Sequence, residues 1–379
     1  MKIFCVLFSV ITTILLNSAN PAFAQSVKPN IKIAAIFSKT GEAAAISEEH
    51  LIVTRFAVDE INAKGGILGR RIELIEIDNK STALGSKQAA LKAVEKSVVA
   101  VVGPSWSSHA LAMADVLQQH GIPMVSPTAT NPKVTQKGDF IFRACFIDSF
   151  QGEILAKFAY NELNLSSVAV LTNTGYVYST DLAQRFINTF KTLKGNIAIE
   201  LDYSEDLTDY SKLLKNLNTH KYDAVFIPGY TRDSAQIIKA ARQMGVECPV
   251  LGGDGWSHLM FDYAPAKALN NTYYLTHWFK TVKDPKSLEF VKKIQHIFED
   301  SKINAGMALS YDTVYLIAHA ILNAQSFDPL KIKDALAATK NFKGVTGSVK
   351  FGPGRNPVKP AVILQFKDKK SQLVKQYLP

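Results

Sequence analysis

From Ile31 onward the chain alternates short apolar runs with longer amphipathic segments, and this alternation restricts its fold more than any other feature. The first run covers residues 31–37 and is rich in branched side chains, whereas residues 51–63 carry apolar side chains at helical spacing. Gly65 and Gly66 follow, and glycine readily adopts the left-handed conformation that ends a helix. Repeated signals of this kind favour β/α units built on a parallel sheet.

The alternation continues to residue 126 and starts again after residue 146. The predicted strands of the first half are 31–37, 72–78, 98–102 and 123–126, and those of the second half are 168–171, 197–203, 224–228 and 250–252, with helices between them. An extended segment at 273–276, helices over 288–301 and 309–323 and a strand-rich tail from Gly347 complete the pattern. Because helices return after the second half and no low-complexity linker separates the halves, we expect the chain to cross between two lobes more than once.

The N-terminal residues have the pattern of a secretory signal peptide. Lys2 supplies the positive charge, residues 3–16 form the apolar run, and residues 22–24 read Ala-Phe-Ala, an A-x-A cleavage site before Gln25. A membrane-spanning helix needs about 20 apolar residues, and Asn17 interrupts this run too early. We therefore expect a secreted product that keeps 355 of the 379 residues after loss of the first 24, enough for two lobes.

The chain carries 43 Lys and Arg residues against 33 Asp and Glu residues, a formal net charge of +10. Such a charge could indicate nucleic-acid binding, but the basic residues are dispersed among acidic ones and are not interleaved with aromatic residues. We interpret the excess as a basic solvated surface and expect no nucleic-acid partner.

Signals for catalysis, metal binding and nucleotide binding are weak. The segment GPSWS at residues 103–107 comes near the G-x-S-x-G nucleophile elbow but ends on serine, and no histidine can be placed beside Ser105 or Ser107 from the sequence. The histidines form no H-E-x-x-H or Cys/His cluster, and neither G-x-G-x-x-G nor a phosphate-binding loop is found. We therefore predict no enzyme activity, no catalytic residues, no metal and no cofactor, with a serine hydrolase as the rival enzyme class.

Two cysteines, Cys145 and Cys248, remain in the predicted mature chain. Two cysteines so far apart do not make a disulfide scaffold. Free buried thiols are the simpler interpretation, and a single bridge between them stays open.

Small hydroxylated residues follow two neighbouring predicted strands of the first half. In open α/β sheets, ligands bind beyond the carboxyl ends of the strands. The segment GPSWSS places Ser107 near the start of a helix, where N–H groups favour an anion such as a carboxylate, and SPTATNP adds Thr128 and Thr130. Ser107 and Thr130 could instead cap helices, but their pairing at adjacent strand ends favours a ligand site.

The second half offers an acid and two aromatic residues in equivalent positions. Asp254 follows the predicted strand at 250–252, and Tyr178 and Tyr230 follow the strands that end near residues 171 and 228. An acid that faces a carboxylate-binding site across a cleft suits a zwitterion, whose ammonium pairs with Asp254 while its carboxylate takes the hydroxyls and amides. The two tyrosines could form walls of the pocket, or they could be ordinary aromatic residues between the lobes or on the surface.

Six segments then stand in a recognisable order behind the signal peptide: DEINAKGGILGRRI (59–72), VVGPSWSSHAL (101–111), IPMVSPTATNPKVT (122–135), VYSTDLA (177–183), FIPGYTRDSAQIIKAARQMG (226–245) and LGGDGWSHL (251–259). Together they resemble the periplasmic leucine/isoleucine/valine-binding family, the amino-acid branch of the type I periplasmic binding fold. The similarity runs from Ile31 to about Phe366.

The resemblance implies roles for individual residues. Ser107 and Thr130 match positions whose hydroxyls hold the ligand carboxylate, and Thr128 matches a position whose backbone carbonyl meets the ammonium. Asp254 matches the acid that pairs with the ammonium, although leucine-type relatives carry an acid one carbon longer.

Other positions set the walls of the pocket. Tyr178 and Tyr230 match aromatic positions of the second lobe, but Ile46 stands where leucine-type binders place an aromatic residue. The part of the pocket that receives the ligand side chain therefore need not have the shape that fits leucine. Trp106 and Trp256 flank the binding motifs, as pocket walls or as structural packing.

The resemblance also implies the architecture: an α/β fold of two similar Rossmann-like lobes with parallel sheets, joined by a three-segment hinge. We place lobe 1 at residues 25–147 and 277–350, and lobe 2 at residues 148–276 and 351–379. The ligand would bind between the lobes, which close by hinge bending.

The family implies a periplasmic, monomeric binding protein of an ABC importer that delivers a small molecule, an amino acid (branched-chain or other), to a permease in the inner membrane. Two alternatives remain open: a ligand-sensing receptor subunit of the same fold, and a ligand such as an amide, urea or an aromatic acid. Asp254 argues against a simple acid because two carboxylates would then face each other.

Overall fold

The computed structural model describes residues 29–204 and 206–378, so the predicted signal peptide and its cleavage site lie outside the described residues. In the described part, two large sheets of mostly parallel strands are each flanked by helices. This arrangement confirms the predicted α/β fold class, with one large sheet in each lobe.

The first lobe begins with a five-stranded parallel sheet in the order β2-β1-β3-β4-β5. Its strands are β1 (Ile31–Phe37), β2 (Ile72–Asp78), β3 (Ala100–Val102), β4 (Met124–Ser126) and β5 (Ile141–Arg143). The helices between them are α1 (Ala44–Ala63), α2 (Ala83–Glu95), α3 (Ser107–Gln119) and α4 (Lys133–Gln136). β1 and β3 are buried almost throughout, as expected for strands covered by helices on both faces.

The second lobe is built on a seven-stranded sheet in the order β14-β13-β10-β9-β8-β6-β7. Its parallel strands are β6 (Ser167–Asn173), β7 (Asn196–Tyr203), β8 (Ala224–Phe226), β9 (Val250–Gly252) and β10 (Thr272–Thr276). Its helices are α5 (Asp148–Lys157), α6 (Val177–Thr192), α7 (Ser211–Leu217), α8 (Thr231–Gln243) and α9 (Ala266–Leu269). The sheet is completed by two antiparallel strands at the end of the chain, β13 (Ala361–Lys367) and β14 (Lys370–Tyr377).

Between β10 and β13 the chain returns to the first lobe. This return contains α10 (Pro285–Ile294), α11 (Ala305–Ala324), α12 (Pro329–Ala337) and a hairpin of β11 (Phe342–Gly344) and β12 (Gly347–Val349). Side chains of α11 and α12 pack in one core with those of β1 and α1. The chain therefore passes between the lobes three times, at residues 144–147, 277–284 and 350–360, which we call the first, second and third crossings.

Helix α11 is long and apolar enough to cross a membrane, by length and composition alone. However, most of it is buried inside the protein. We therefore assign α11 to the core of the first lobe.

Several helices begin earlier than the sequence pattern predicts. The apolar periodicity of the second half predicts helix starts near residues 152, 181 and 234. The structure begins these helices at Asp148 (α5), Val177 (α6) and Thr231 (α8). In each case the first turn carries polar or aromatic residues that break the apolar periodicity. The first turns of α6 and α8 line the space between the lobes through Tyr178, Thr231 and Arg232, which explains why a search for core-facing periodicity misses them.

The helix predicted over residues 288–301 ends at Ile294, and α12 and β5 were not predicted. Cys145 is buried, Cys248 is half-buried, and both are free thiols, so the bridge that the sequence left open is not formed.

Candidate functional site

A cavity of about 440 Å³ lies between the two lobes. It is lined by all the residues that the sequence pattern singled out: Ile46, Trp106, Ser107, Thr128, Thr130, Tyr178, Tyr230, Asp254 and Trp256. The structure thus brings together residues that lie more than 200 positions apart in the chain. Most of them follow strand ends, as the rule for open α/β sheets predicts.

The loop after β3 carries the chain from the sheet into α3. Gly103 has φ +107, and a Cβ atom there would lie 2.2 Å from the carbonyl oxygen of Ile36, so only glycine fits. Helix α3 then begins at Ser107, preceded by Trp106, whose side chain makes no capping hydrogen bond. The first N–H groups of α3 are therefore uncapped by that side chain, and the helix start favours negative charge beside it.

Ser107 does not cap its own helix. Its hydroxyl oxygen accepts a hydrogen bond from the backbone N–H of Asn131, 3.2 Å away in the loop after β4. The side-chain amide of Asn131 in turn donates to the carbonyl oxygen of Val177 in the second lobe, 3.0 Å away. The capping alternative is therefore wrong for Ser107, whose O–H remains available to donate.

Thr128 and Thr130 differ in what their hydroxyls do. The Thr128 hydroxyl donates to the carbonyl oxygen of Ser105 at 2.9 Å, so its proton is already engaged. Thr130 is buried, and its hydroxyl has no hydrogen-bond partner, although the Asp148 carboxyl lies beside it. Thr130 does not cap α4 either, because Pro132 occupies that position.

Asp254 presents a fixed carboxylate in the second lobe. One oxygen accepts from Gln151 Nε2 at 2.8 Å, and the other lies 2.9 Å from His277 Nε2. The side chain is only 6% exposed. A carboxylate can accept about four hydrogen bonds, so two positions remain for an ammonium group.

His277, which also lines the cavity, holds the Asp254 carboxylate in place. Burial lowers the pKa of His277, although its hydrogen bond with Asp254 acts in the opposite direction. The ring is therefore neutral near pH 7 and donates its Nε2–H, because a carboxylate only accepts. Sequence reasoning missed His277 and Gln151. His277 directly follows β10, so the strand-end rule could have found it.

Aromatic rings close one side of the cavity. Trp106 of the first lobe stacks on Tyr230 of the second with ring centroids 3.8 Å apart, and Tyr178 stacks on Tyr230 at 5.0 Å. The Tyr178 hydroxyl also accepts the N–H of Gly255 at 3.0 Å. Tyr176 adds a second interlobe contact, because its hydroxyl donates to the Glu42 carboxylate. Both tryptophans line the cavity, and Trp256 in addition packs against Gly252 and Tyr274 within the second lobe.

The cavity lining also contains a histidine beside a serine. His50 Nδ1 lies 2.7 Å from Ser105 Oγ, a contact between residues 55 positions apart that the sequence did not reveal. Burial lowers the pKa of His50 to about 3, so the ring is neutral. Its Nε2 atom has no partner and packs closely on Gly306 at the start of α11, where a Cβ would lie 2.0 Å away.

A further interlobe contact involves ionisable groups. Nε2 of His258, in the second lobe, lies 3.1 Å from Glu49 Oε1 on α1. The other Glu49 oxygen accepts from the Asn304 amide at 2.7 Å. Among residues 29–204 and 206–378, no group of three or more His, Cys, Asp and Glu side chains is placed to hold a metal ion.

Comparisons with known proteins agree with this geometry. A family model described as "periplasmic binding protein" matches residues 30–371. The chain is 31% identical to the Leu/Ile/Val-binding protein BraC3 of Rhizobium johnstonii over 71% of its own length and 73% of the relative.

Two solved structures are similar across nearly their whole length. A leucine-binding protein LivK from Thermotoga maritima superimposes with a TM-score of 0.88 at 31% identity, covering 92% of this chain and 99% of that one. The branched-chain amino-acid substrate-binding protein LivJ from Streptococcus pneumoniae, in complex with isoleucine, gives 0.86 at 32% identity, with 91% and 99% covered.

Proposed function

The chain belongs to the periplasmic binding protein family, and from this membership we propose that it is the extracytoplasmic solute-binding protein of an ABC importer. It captures an amino acid, branched-chain or other, in the interlobe cleft and delivers it to the permease. Relatives named for leucine, isoleucine and valine support an amino-acid ligand.

One observation carries the proposal: a buried acid faces hydroxyl and amide donors across the same cavity. Asp254 would receive the ligand ammonium on its two remaining lone-pair positions. Ser107, Thr130 and the start of α3 would receive the carboxylate. Because these groups belong to different lobes, an amino acid contacts all of them only when the lobes are shut.

Closure then follows from differential binding. A ligand that contacts both lobes stabilises the shut form relative to the open form by the contacts it makes in only one of them. The three crossings serve as the hinge for this rigid-body motion. The lobes proposed from the sequence, 25–147 with 277–350 and 148–276 with 351–379, move as the two bodies. A permease distinguishes the loaded protein by its shut shape.

The remaining features of the proposal concern location and partners. The sequence pattern of residues 1–24 supports export and cleavage, and the family supports a periplasmic location. We propose that the protein works as a monomer, with a permease as its macromolecular partner and without nucleic acid. A sensory receptor subunit is the main rival, and deletion of the partner permease separates the two, because only a transport protein loses uptake.

A hydrolase centred on Ser105 is favoured by one contact, the 2.7 Å approach of His50. A general base works best with a pKa near the working pH, and burial holds the pKa of His50 at about 3. The far nitrogen of that ring also meets Gly306 instead of a carboxylate that could orient it. We therefore propose that the pair shapes the pocket and that the protein is not an enzyme.

A thermal-shift screen tests the proposal. The mature protein is freed of carried ligand by reversible unfolding and screened against the standard amino acids, urea, short amides and aromatic acids. Binding to the native state raises its melting temperature. Asp254→Ala should abolish the shift, whereas Asp115→Ala, which removes an exposed acid outside the cleft, should keep it. If only amides or aromatic acids stabilise the protein, the proposed role of Asp254 is wrong.

A further inference from the structure

Two buried carboxyl groups are joined by one amide side chain. Gln151 Nε2 donates to Asp148 Oδ1 at 3.2 Å and to Asp254 Oδ1 at 2.8 Å. Its Oε1 accepts the backbone N–H of Asp254 at 2.7 Å. A backbone N–H can only donate, so this last contact fixes which end of the amide faces the carboxyls. Both protons of the Gln151 amide are therefore engaged.

Asp148 lies where the first crossing enters α5, and its side chain is fully buried. Its backbone N–H donates to the carbonyl oxygen of Thr130 at 3.0 Å, which brings the two residues side by side. Asp148 Oδ2 and Thr130 Oγ1 are both buried without a hydrogen-bond partner. Thr130 lines the cavity, and its side chain lies close enough to act on the Asp148 carboxyl. Two neighbouring buried polar atoms that make no hydrogen bond need an explanation, since each costs free energy when left alone.

The surroundings of Asp148 decide its protonation. Burial raises the pKa of Asp148 well above its usual range, the Asp254 carboxylate adds to this, and the Thr130 hydroxyl and the Arg143 guanidinium oppose it. The Arg143 guanidinium donates to the carbonyl oxygens of Ala129 and Asn131 and not to Asp148. The titratable or charged groups around the carboxyl are Arg143 of β5, Cys145 of the first crossing, Tyr178 and Asp181 of α6, Tyr230 before α8 and Asp254 after β9.

We propose that Asp148 is a positioning residue that acts as a neutral acid: its O–H donates to Thr130 Oγ1, so the Thr130 proton points at the ligand carboxylate. Gln151 ties the same acid to Asp254, the ammonium partner. The two ends of the amino-acid site, one in each lobe, are thereby coupled through the first crossing. The inference rests on the proposed function, because it names how that same site is ordered.

The chemistry of a hydroxyl explains the effect. A threonine hydroxyl has one proton, and an O–H donor on its oxygen leaves that proton free for a second acceptor. An ionised Asp148 would instead accept a hydrogen bond from the Thr130 hydroxyl. The lone pairs of that hydroxyl would then face the ligand carboxylate and repel it. Ligand binding therefore requires the neutral acid and weakens when Asp148 ionises.

The experiment measures L-leucine binding by calorimetry at pH 7 for the wild type, Asp148→Asn and Asp148→Ala. Asparagine keeps both functions of the neutral acid, since its oxygen accepts from Gln151 and its amide donates to Thr130. We expect D148N to bind within about threefold of the wild type and D148A to lose about tenfold, the value of one hydrogen bond. If D148N is as weak as D148A, the acid acts as a charge and the proposal is overturned.

A second set of binding measurements tests the proposal even if the D148A variant does not fold. Thr130→Val removes the hydroxyl at constant volume, and it should lower affinity by about tenfold in the wild type and in D148N alike. In addition, the ratio of wild-type to D148N affinity should fall as pH rises through the pKa of Asp148, a change that a purely structural role would not produce. A pH-independent ratio overturns the proposal.

The protonation state of the Asp148 carboxyl can also be measured without ligand. The infrared difference spectrum of the wild type minus D148N at pH 7 should contain the carbonyl stretch of a protonated carboxylic acid. Its absence overturns the neutral-acid assignment even if leucine binds. If the wild type binds neither leucine nor any other amino acid, the proposed function itself fails, and the positioning role fails with it.

Discussion

The indole ring of Trp106 and the phenol ring of Tyr230 stack with centroids 3.8 Å apart and planes inclined by only 4°. Trp106 precedes α3 in the first lobe and Tyr230 precedes α8 in the second, so the stack joins the lobes directly. Because the contact exists only while the lobes are together, it stabilises the shut form and not the open form.

Trp106→Leu should therefore weaken ligand binding without unfolding the protein. An aromatic pair contributes about 0.5–1.5 kcal/mol beyond its buried area, which corresponds to a loss of affinity of about two- to twelvefold. Most of the loss should appear in the dissociation rate, measured by stopped-flow release of the bound amino acid. Phe261→Leu is the control, since its ring pairs with Phe366 within the second lobe. Equal effects on dissociation from the two variants would contradict an interlobe role.

Ser107→Ala should cost more than the loss of a simple helix cap. The Ser107 hydroxyl accepts from Asn131 and is free to donate into the cavity, so alanine removes a ligand contact and leaves the Asn131 N–H unpartnered. A hydrogen bond to a charged group contributes about 1.5–3 kcal/mol, which predicts roughly 10- to 150-fold weaker binding by calorimetry. Ser108→Ala changes the neighbouring half-buried hydroxyl and is the matched control. Unchanged affinity in Ser107→Ala would place the carboxylate elsewhere.

Protonation of His277 should lower the affinity for the ligand at acidic pH. Since burial lowers the pKa of His277, the ring stays neutral at and above pH 6.5, and Asp254 keeps its full attraction for the ligand ammonium. In more acidic solution a protonated His277 would compete with the ammonium for Asp254, so affinity should fall there. His277→Asn, whose side-chain amide can donate to Asp254 but does not titrate, should remove this loss of affinity at acidic pH in a calorimetric pH series. A loss of the same size in that variant would assign it to another group.

The fold was largely predictable because the parallel strands leave short segments rich in apolar, branched side chains. The bounds of β1, β2 and β9 coincide with the predicted strands at 31–37, 72–78 and 250–252. Helix starts were predicted late, since the first turns of α6 and α8 present Tyr178, Arg232 and their neighbours to the cleft instead of to a core. Apolar periodicity identifies the side of a helix that faces the core, but it does not identify residues that face the cleft.

The candidate site was predictable only where it follows strand ends. Ser107, Thr130 and Asp254 could be found by that rule, because parallel strands bring their carboxyl ends to one edge. Gln151 could not, because its contact with Asp254 joins residues 103 positions apart and has no local signature. The same holds for His50 beside Ser105. Such contacts depend on how two lobes meet, which a single sequence does not encode in any short pattern.

Glu76 should make the first lobe sensitive to acid. Its carboxylate receives two hydrogen bonds from Arg55, at 2.6 and 2.8 Å, and these hold the pKa of Glu76 at about 2. A depressed pKa contributes stability above the usual glutamate pKa, and that contribution is lost as pH falls toward 2. Because both side chains are partly exposed, Glu76→Gln should cost about 1 kcal/mol of unfolding free energy at pH 7 and almost nothing near pH 2. Urea denaturation at both pH values measures this, and an equal loss at both would exclude the ion pair as its source.

The third crossing should depend on a buried charge pair. Lys359 is 1% exposed, and its ammonium donates to the Thr346 hydroxyl at 2.5 Å, which donates in turn to Asp312 Oδ2 at 2.6 Å. Burial lowers the pKa of Lys359 and raises the pKa of Asp312, while each charge supports the ionised form of the other.

Lys359→Ala leaves the Asp312 carboxyl buried without its cation, and breaking a buried pair in this way costs about 3–5 kcal/mol. We therefore expect urea denaturation at pH 7 to show a loss of this size in Lys359→Ala. Lys350→Ala, an exposed lysine nearby, should change the free energy of unfolding by less than about 0.5 kcal/mol. Lys359→Met keeps an alkyl chain of similar length without the charge, so it should lose nearly as much stability as Lys359→Ala. A Lys359→Met variant as stable as the wild type would mean that the lysine stabilises the crossing by packing of its alkyl chain and not by its charge.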